Sequence, residues 1–223
     1  MPYPKSKKIL IYLILFIIIG TLNNKNFKNI YFAKVKKIQI TGLDEKNHFE
    51  IIENLNSLNI NNLFLLNKSK INEVINSNNL VEKYSVFKLY PSALIIKIDK
   101  TKFLAQIKKN DDNFILGSNG KFIKSIDFRD DIPFIFGDFN NNNFFELKKA
   151  IDESNFNYKQ IKNLFFFKSG RWDIETNNGL LIKLPENDIK ESLQFINNFL
   201  TEKNDKEIYK IDLRQKNQII ING

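Results

Sequence analysis

A charge-free apolar run near the N-terminus constrains the fold of this chain more than any other feature. The run from Ile9 to Asn24 reads ILIYLILFIIIGTLNN, and it follows Lys5, Lys7 and Lys8. As a helix it is roughly 24 Å long, and flanking lysines that reach the lipid headgroups allow it to cross a ~30 Å hydrocarbon core. We therefore predict a transmembrane anchor at residues 9–24, preceded by a cytoplasmic tail at residues 1–8.

Two other interpretations of this run stay open. A cleaved signal peptide also has a short apolar region, but the following TLNNKNF lacks the small residues of an A-x-A cleavage site. A buried core helix is the second alternative, although an all-round apolar surface beside a basic tail argues against it. The positive tail favours a cytoplasmic N-terminus, whereas the lysines that follow the run, at positions 25, 28, 34, 36 and 37, oppose it. Because a long C-terminal region translocates largely regardless of charge, we expect the bulk of the chain in the periplasm, outside the inner membrane.

Composition narrows the chemistry that the chain can perform. The absence of cysteine excludes disulfides and thiolate metal sites. A single histidine, His48, leaves no Ser-His-Asp set and no HExxH motif, so we predict no enzyme activity, no metal site and no cofactor. The net charge is +9, but the only arginines are Arg129, Arg171 and Arg214. Because nucleic-acid recognition favours the arginine fork, we predict no nucleic-acid binding.

Hydrophobic periodicity after the anchor predicts a small β-α-α-β-β domain. VKKIQIT alternates as a strand does, and two amphipathic helices follow, the first capped by Asn47 and the second at residues 69–77. The run VFKLYPSALIIKIDK then predicts a strand, a Tyr-Pro-Ser turn and a second strand with apolar Leu94, Ile96 and Ile98 on one face. We expect the two helices to cover one face of a three-stranded sheet.

This pattern resembles the POTRA domain, in the version found in the bacterial cell division family FtsQ (DivIB). VKKIQITG opens the domain and VFKLYPSALIIKIDKTKFLA closes it, directly after an N-terminal anchor. The chain keeps the family's closing residues Val86, Pro91 and Ala105, with Lys88 in place of an arginine. The resemblance implies a POTRA domain at residues 34–102.

The second half of the chain extends the resemblance. DIPFIFG is typical of a strand, a helix at residues 143–154 follows, and RWDIETNNGLLIKL has the alternation and Asn-Gly turn of a hairpin. An amphipathic helix that begins near Ile189 then leads to YKIDLRQKNQIIING. This order is similar to that of FtsQ proteins after their POTRA domain. It implies a β-rich C-terminal domain with helices at residues 103–223, and the fold class expected for the whole chain is α+β.

The connection between the two domains lacks a Pro/Gly-rich linker. The strand that starts at Ala93 is expected to run on toward Ile107. We therefore predict a boundary near residues 100–108 and a rigid connection rather than a hinge.

The resemblance also implies a function. FtsQ proteins are non-enzymatic scaffolds at the division septum, where they recruit the small bitopic proteins FtsB and FtsL and, through them, septal peptidoglycan synthesis. Two alternatives stay open. One is a POTRA-containing component of a protein assembly or secretion system. The other is a membrane-tethered peptidoglycan-modifying enzyme, which would need a catalytic set that one histidine does not supply.

The partner site is expected at the last strand. Ile219, Ile220 and Ile221 are apolar and β-branched, so at least one must point away from the core. No charge or proline protects this segment after Lys216, and such an edge can accept a strand from a partner. A central position in the sheet is the alternative. Carried over from the family, the partner-binding residues are Arg171, Arg214, Gln215, Asn217, Gln218, Ile219, Ile220 and Ile221.

Overall fold

The computed structural model describes residues 5–22, 34–58, 60, 62–64, 66–202, 208–215 and 218–222. The helices are α1 (Lys5–Leu22), α2 (Glu45–Ser57), α3 (Lys68–Ser77), α4 (Asn141–Glu153) and α5 (Ile189–Glu202), with a short 3-10 helix at Tyr158–Gln160. The strands are β1 (Lys37–Thr41), β2 (Val81–Leu89), β3 (Ala93–Lys100), β4 (Phe103–Lys109), β5 (Asp112–Gly117), β6 (Phe122–Ser125), β7 (Phe134–Phe136), β8 (Ile161–Phe166), β9 (Trp172–Thr176), β10 (Leu181–Lys183), β11 (Lys210–Asp212) and β12 (Ile220–Ile221).

The N-terminal helix α1 presents its apolar side chains to the outside. From Ile9 to Ile19 these side chains are between 46% and 79% exposed. Residues 1–4 of the expected tail and residues 23–24 of the expected anchor lie outside the described part of the chain. Among the helices that the structure describes, none combines the length and the apolar character that a membrane crossing requires.

The first domain is a three-stranded sheet with two helices packed on one face. β3 lies in the centre, parallel to β1 and antiparallel to β2. Leu94 and Ile96 of β3 are fully buried and pack with Ile51, Leu55 and Ile75 of the two helices. The domain therefore has its own core. Its first helix is capped by Asp44 rather than by Asn47, because the Asp44 carboxylate accepts a hydrogen bond from the Asn47 N–H at 3.1 Å.

The second domain is one sheet of nine strands. Within the described residues the strand order is β12-β11-β10-β9-β8-β7-β4-β5-β6. α4 and α5 cover one face of this sheet, and the core between the layers contains buried residues from both helices and from the central strands. The most deeply buried of them include Phe144, Leu147, Ile151, Leu164, Trp172, Ile174, Ile182, Leu193, Ile196 and Ile211. The α+β fold class expected from the sequence thus holds for the two domains.

Strand β7 joins the two halves of the large sheet. It pairs in parallel with β8 over three residues, but with β4 only through Phe134, opposite Gln106. Gln106 is buried, and its side-chain amide donates to the carbonyl groups of Arg129 and Ile132 at 2.6 and 3.2 Å. These bonds satisfy a buried amide and fix the segment that leads into β7.

The expectation of one continuous strand from Ala93 toward Ile107 is wrong. β3 and β4 belong to different sheets, and Thr101 and Lys102 separate them. Thr101 is buried at this break, and its N–H donates to the carbonyl of Leu80 at 2.9 Å. The hairpin β5–β6, which the sequence pattern did not predict, lies beside this break.

The turn of the β5–β6 hairpin ties the second domain to the first. The side-chain amide of Asn119 donates to the carbonyl groups of Asn79 and Val81, both at 2.9 Å. The Ser118 hydroxyl donates to the Glu82 carboxylate at 2.8 Å. These bonds join the turn to the beginning of β2, so the two sheets are connected by side chains as well as by the chain itself.

We predict that Asn119→Ala widens the range of angles between the two domains. The substitution removes the two hydrogen bonds to the first domain, worth about 1 kcal/mol each, together with the bond that the Asn119 side chain accepts from the Lys121 N–H. Because the chain has no cysteine, spin labels can be attached to Lys46→Cys and Ser169→Cys, one in each domain. The distance distribution between the labels should be narrow in the parent chain and broader in Asn119→Ala.

Asn113→Ala is the matched control for this prediction. It removes an amide-to-carbonyl bond, to Ile126, that lies within the second domain. Its distance distribution should stay narrow. Equal widths for the parent chain and Asn119→Ala would show that the Asn119 side chain does not hold the domains.

Candidate functional site

Strand β12 is the terminal strand of the large sheet, and its outer side has no neighbouring strand among the described residues. It pairs with β11 in antiparallel orientation, with Ile221 opposite Ile211 and Ile220 opposite Asp212. The next N–H along the chain, that of Asn222, donates to the Lys210 carbonyl at 2.9 Å. The inner side of β12 is therefore fixed by the ladder with β11.

The register determines which backbone groups of β12 face outward. N–H groups alternate from one side of a strand to the other. Because the Asn222 N–H points at β11, the Ile220 N–H also points at β11. The N–H groups of Ile219 and Ile221 therefore point away from the sheet, toward the open edge.

The three isoleucines at this edge are partly exposed on both faces of the sheet. Ile219, Ile220 and Ile221 are 39%, 42% and 38% exposed. Ile221 lies opposite the buried Ile211, on the face that the helices cover, whereas Ile220 lies opposite Asp212 on the other face. Side chains of an added strand would therefore meet apolar neighbours on both faces.

A groove of about 730 Å³ lies beside the edge on the side of α5. Its apolar part contains Leu213, Phe195 and Ile219, and Phe195 is 43% exposed. Its polar lining comes from the loop before α5, from the first turns of that helix, and from the residues after β11. These polar residues are Glu186, Asn187, Asp188, Glu191, Ser192, Arg214, Gln215 and Gln218.

Arg214 and Asp212 form an ion pair at the end of β11. The Arg214 Nε lies 2.8 and 2.9 Å from the two carboxylate oxygens of Asp212, and the Arg214 N–H donates to one of them at 3.1 Å. These hydrogen bonds lower the pKa of Asp212 despite its burial. The two residues pair with each other, which holds the guanidinium in one position, and the charge of Lys183 on the neighbouring strand β10 also lowers the pKa of Asp212.

Arg171 is in a similar arrangement, but away from the edge. It precedes β9, three strands from β12, which is roughly 14 Å at the usual strand spacing. Its guanidinium lies 4.6 Å from the centre of the Phe167 ring, and its Nε lies 3.4 Å from Asp173 Oδ1. Burial raises the pKa of Asp173, while the charges of Arg171, Lys183 and Arg214 oppose that rise.

The two carboxylates should give opposite pH dependences of stability. The pKa of Asp173 in the folded chain lies above the ordinary value of 3.8, so its contribution is full below 3.8 and is lost as the pH rises through the raised pKa. The pKa of Asp212 is lowered, so its contribution is full above 3.8 and is lost as the pH falls through the lowered pKa.

Urea unfolding of Asp173→Asn and Asp212→Asn at several pH values measures this difference, with Trp172 fluorescence as the signal. As the pH falls below neutrality, the parent chain should gain stability relative to Asp173→Asn. At the acid end it should lose stability relative to Asp212→Asn. If the stability difference from the parent chain changed with pH in the same direction for both variants, the assigned pKa directions would be contradicted.

The structure describes most of the residues expected at the partner site. Gln215 and Gln218 are exposed, and the Gln218 N–H donates to the Gln215 carbonyl at 3.2 Å. Asn217 lies outside the described residues. Arg214, Gln215, Gln218 and the three isoleucines thus lie together along the edge. Arg171 lies before β9, and its link to Arg214 runs through Asp173, on which both guanidinium charges act.

Sequence reasoning missed several residues of this region. Phe195 was not assigned to the site, although it lies on the groove and not in the core. Asp173 and Asp212 were not identified as buried carboxylates, although each has an arginine two positions away, on the same face of its strand. That spacing is the signal that would have found them. No group of three or more potential metal ligands occurs in the part of the chain that the structure describes.

Comparisons with known proteins agree with this arrangement of domains. A family model described as POTRA domain, FtsQ-type, matches residues 33–100, and one described as Cell division protein FtsQ/DivIB, C-terminal, matches residues 105–214. The chain is also 25% identical to Cell division protein FtsQ of Rickettsia bellii (strain RML369-C) over 194 residues, which cover 84% of this chain and 72% of that protein.

A solved structure is also similar to part of the chain. It is the major extracytoplasmic domain of the trans isomer of the cell division protein DivIB from Geobacillus stearothermophilus, with 11% identity and a TM-score of 0.35. The similarity covers 48% of this chain and 96% of that one. The two family models, in consecutive order, and the Rickettsia relative confirm the resemblance seen in the sequence. The chain belongs to the FtsQ/DivIB family of cell division proteins.

Proposed function

We propose that this protein is a non-enzymatic, single-pass membrane scaffold that binds FtsB- and FtsL-like division proteins by strand addition at β12. The observation that carries the proposal is the open edge of β12, with the N–H groups of Ile219 and Ile221 directed outward. A partner strand that pairs there extends the sheet and removes the three partly exposed isoleucines from water. Through such partners the scaffold would be linked to septal peptidoglycan synthesis.

The residues of β12 favour an edge that binds a partner strand over an edge that stays exposed to solvent. Edge strands in monomeric proteins are normally protected by charge, proline or a covering segment. β12 carries two isoleucines and no charge. The groove beside it, with Phe195 and Ile219, has room for a large apolar side chain of the added strand. The fixed guanidinium of Arg214 offers a polar contact to the same strand.

The same proposal includes membrane anchoring by residues 9–24, with a cytoplasmic tail at residues 1–8 and the two domains in the periplasm at the division septum. The charge-free apolar run supports the anchor, and the orientation rests on the length of the region after it, which translocates largely regardless of the lysines on either side. The exposed apolar side chains of α1, which belong to neither hydrophobic core, support a lipid environment. Membrane association also agrees with the family to which the chain belongs.

Affinity purification of the full chain from crosslinked, solubilised membranes tests the proposed function. Mass spectrometry should identify small single-span division proteins as the main partners, at a ratio near one to one. Enrichment of outer-membrane or secreted proteins instead would favour an assembly or secretion component. Absence of small single-span proteins after crosslinking would overturn the proposal.

A further inference from the structure

One end of the first domain combines exposed apolar side chains with lysines, and we call it the hairpin-tip patch. It lies at the turn between β2 and β3 and at the start of β1. Its apolar members are 51% to 62% exposed, and its lysines are exposed as well. The patch consists of Phe64, Leu89, Tyr90, Lys34, Lys36 and Lys37.

The two aromatic side chains of the patch are held in position by packing and by a hydrogen bond. The rings of Phe64 and Tyr90 pack with their centres 4.8 Å apart. The position of Phe64 is fixed by its neighbour Leu63, which is fully buried and whose carbonyl accepts a hydrogen bond from Lys88 Nζ at 2.6 Å. The domain therefore maintains two aromatic rings on its surface at this end.

The chain enters the first domain at the same end. The N–H groups of Lys36 and Lys37 donate to the Ser92 carbonyl at 2.8 and 3.3 Å, beside the turn that holds Tyr90. Residues 23–35 connect this point to the end of α1 and reach roughly 50 Å at most. A domain of this size is about 28 Å across. Because the connection attaches at the patch, this end of the domain can lie at the bilayer surface whatever span the connection takes up.

The charge of this end of the domain also favours contact with the membrane. Between Leu22 and Thr41 the sequence contains five lysines and no acidic residue. A lysine near an anionic lipid surface contributes about 1 kcal/mol, and aromatic side chains favour the headgroup region of a bilayer. An anionic phospholipid surface therefore matches both the charge and the aromatic character of the patch.

We propose that the hairpin-tip patch lies in the headgroup region of the membrane and holds the first domain against the bilayer. This inference rests on the membrane anchor of the proposed function. It assigns the patch to lipid and fixes which end of the first domain faces the bilayer. The β12 edge, in the other domain, is left free for a protein partner.

Depth-dependent fluorescence quenching in vesicles tests this proposal with the full chain. Because the chain has no cysteine, a small fluorophore can be attached at Phe16→Cys in α1, at Ser92→Cys beside the patch, or at Lys46→Cys at the opposite end of the first domain. Ser92→Cys leaves all six side chains of the patch in place. The vesicles contain phosphatidylcholine with or without phosphatidylglycerol, and doxyl groups on the lipids act as shallow or deep quenchers.

We expect the label at position 92 to be quenched several times more strongly by the shallow quencher than the label at position 46. The difference should be larger with phosphatidylglycerol, and it should shrink when Lys34, Lys36 and Lys37 are all replaced by glutamine. The label at position 16 should respond to the deep quencher.

The labels distinguish the two proposals. Quenching at 16 with equal, weak quenching at 92 and 46 would overturn the patch and leave the anchor intact. Quenching at 92 without quenching at 16 would support the patch and overturn the anchor. Quenching at neither position would overturn both.

Discussion

Replacing Ile221 by proline is expected to abolish partner binding while the chain stays folded. The Ile221 N–H faces the open edge of β12, so the proline ring removes a donor that the β11–β12 ladder does not use. Edge strands tolerate proline when its ring faces away from the sheet. The partner strand loses one hydrogen bond and keeps an unsatisfied carbonyl, which together cost about 3 kcal/mol, or roughly a hundredfold in affinity.

Two variants give this prediction its controls. Ile221→Val keeps both the N–H and the β-branched shape, so partner recovery in affinity purification should match that of the parent chain. Ile220→Pro removes an N–H that points at β11, so it should also loosen β12 itself. Full partner recovery with Ile221→Pro, in a chain whose Trp172 fluorescence is unchanged, would show that the partner does not pair with this edge.

Replacing Gly137 by alanine is expected to unfold the second domain. Gly137 follows β7 with φ +103°, a conformation that side chains rarely adopt. An added Cβ would lie 2.2 Å from the Phe166 carbonyl oxygen, so β7 would have to move away from the end of β8. Because β7 joins the two halves of the large sheet, we expect a loss of at least about 3 kcal/mol of unfolding free energy.

Gly179→Ala is the matched control for this substitution. Gly179 also has a positive φ, +84°, but an added Cβ there has no atom within 4 Å. It should cost only the backbone strain of about 1 kcal/mol. Trp172 is the only tryptophan and lies in the core of the second domain, so urea unfolding followed by its fluorescence compares the two variants directly. Equal losses for both would mean that the close approach of Gly137 to β8 is not a constraint.

Periodicity predicted the regular elements because each had a buried face. β3, for example, follows its alternation of Leu94, Ile96 and Ile98, all of which are buried. The hairpin around Asn178 and Gly179 likewise follows from its turn residues. In these segments the local pattern and the tertiary packing agree.

The elements that the sequence did not predict are those whose structure depends on contacts with residues distant in the chain. The hairpin β5–β6 contains few strictly alternating residues, so periodicity does not predict it. Asn119 became a link between domains because β2 lies beside it, which no local pattern indicates. The break at Thr101 has the same origin, since the change of sheet depends on where the second domain packs.

The proposed partner site was only partly accessible to sequence reasoning for a related reason. The three isoleucines and the family resemblance indicated an exposed strand. Which N–H groups face outward depends on the register with β11, and a shift of one residue would reverse the choice between Ile220 and Ile221. The groove beside Phe195 depends on how α5 packs on the sheet, so it could not be predicted from either segment alone.

Amide hydrogen exchange of the full chain, with and without its copurified partner, tests strand addition at β12 most directly. If a partner strand pairs with this edge, the amides of Ile219 and Ile221 exchange more slowly in the complex. The amides at the other sheet edges, in β1, β2 and β6, should keep their rates. Unchanged exchange at Ile219 and Ile221, with new protection at one of those other edges, would contradict the account.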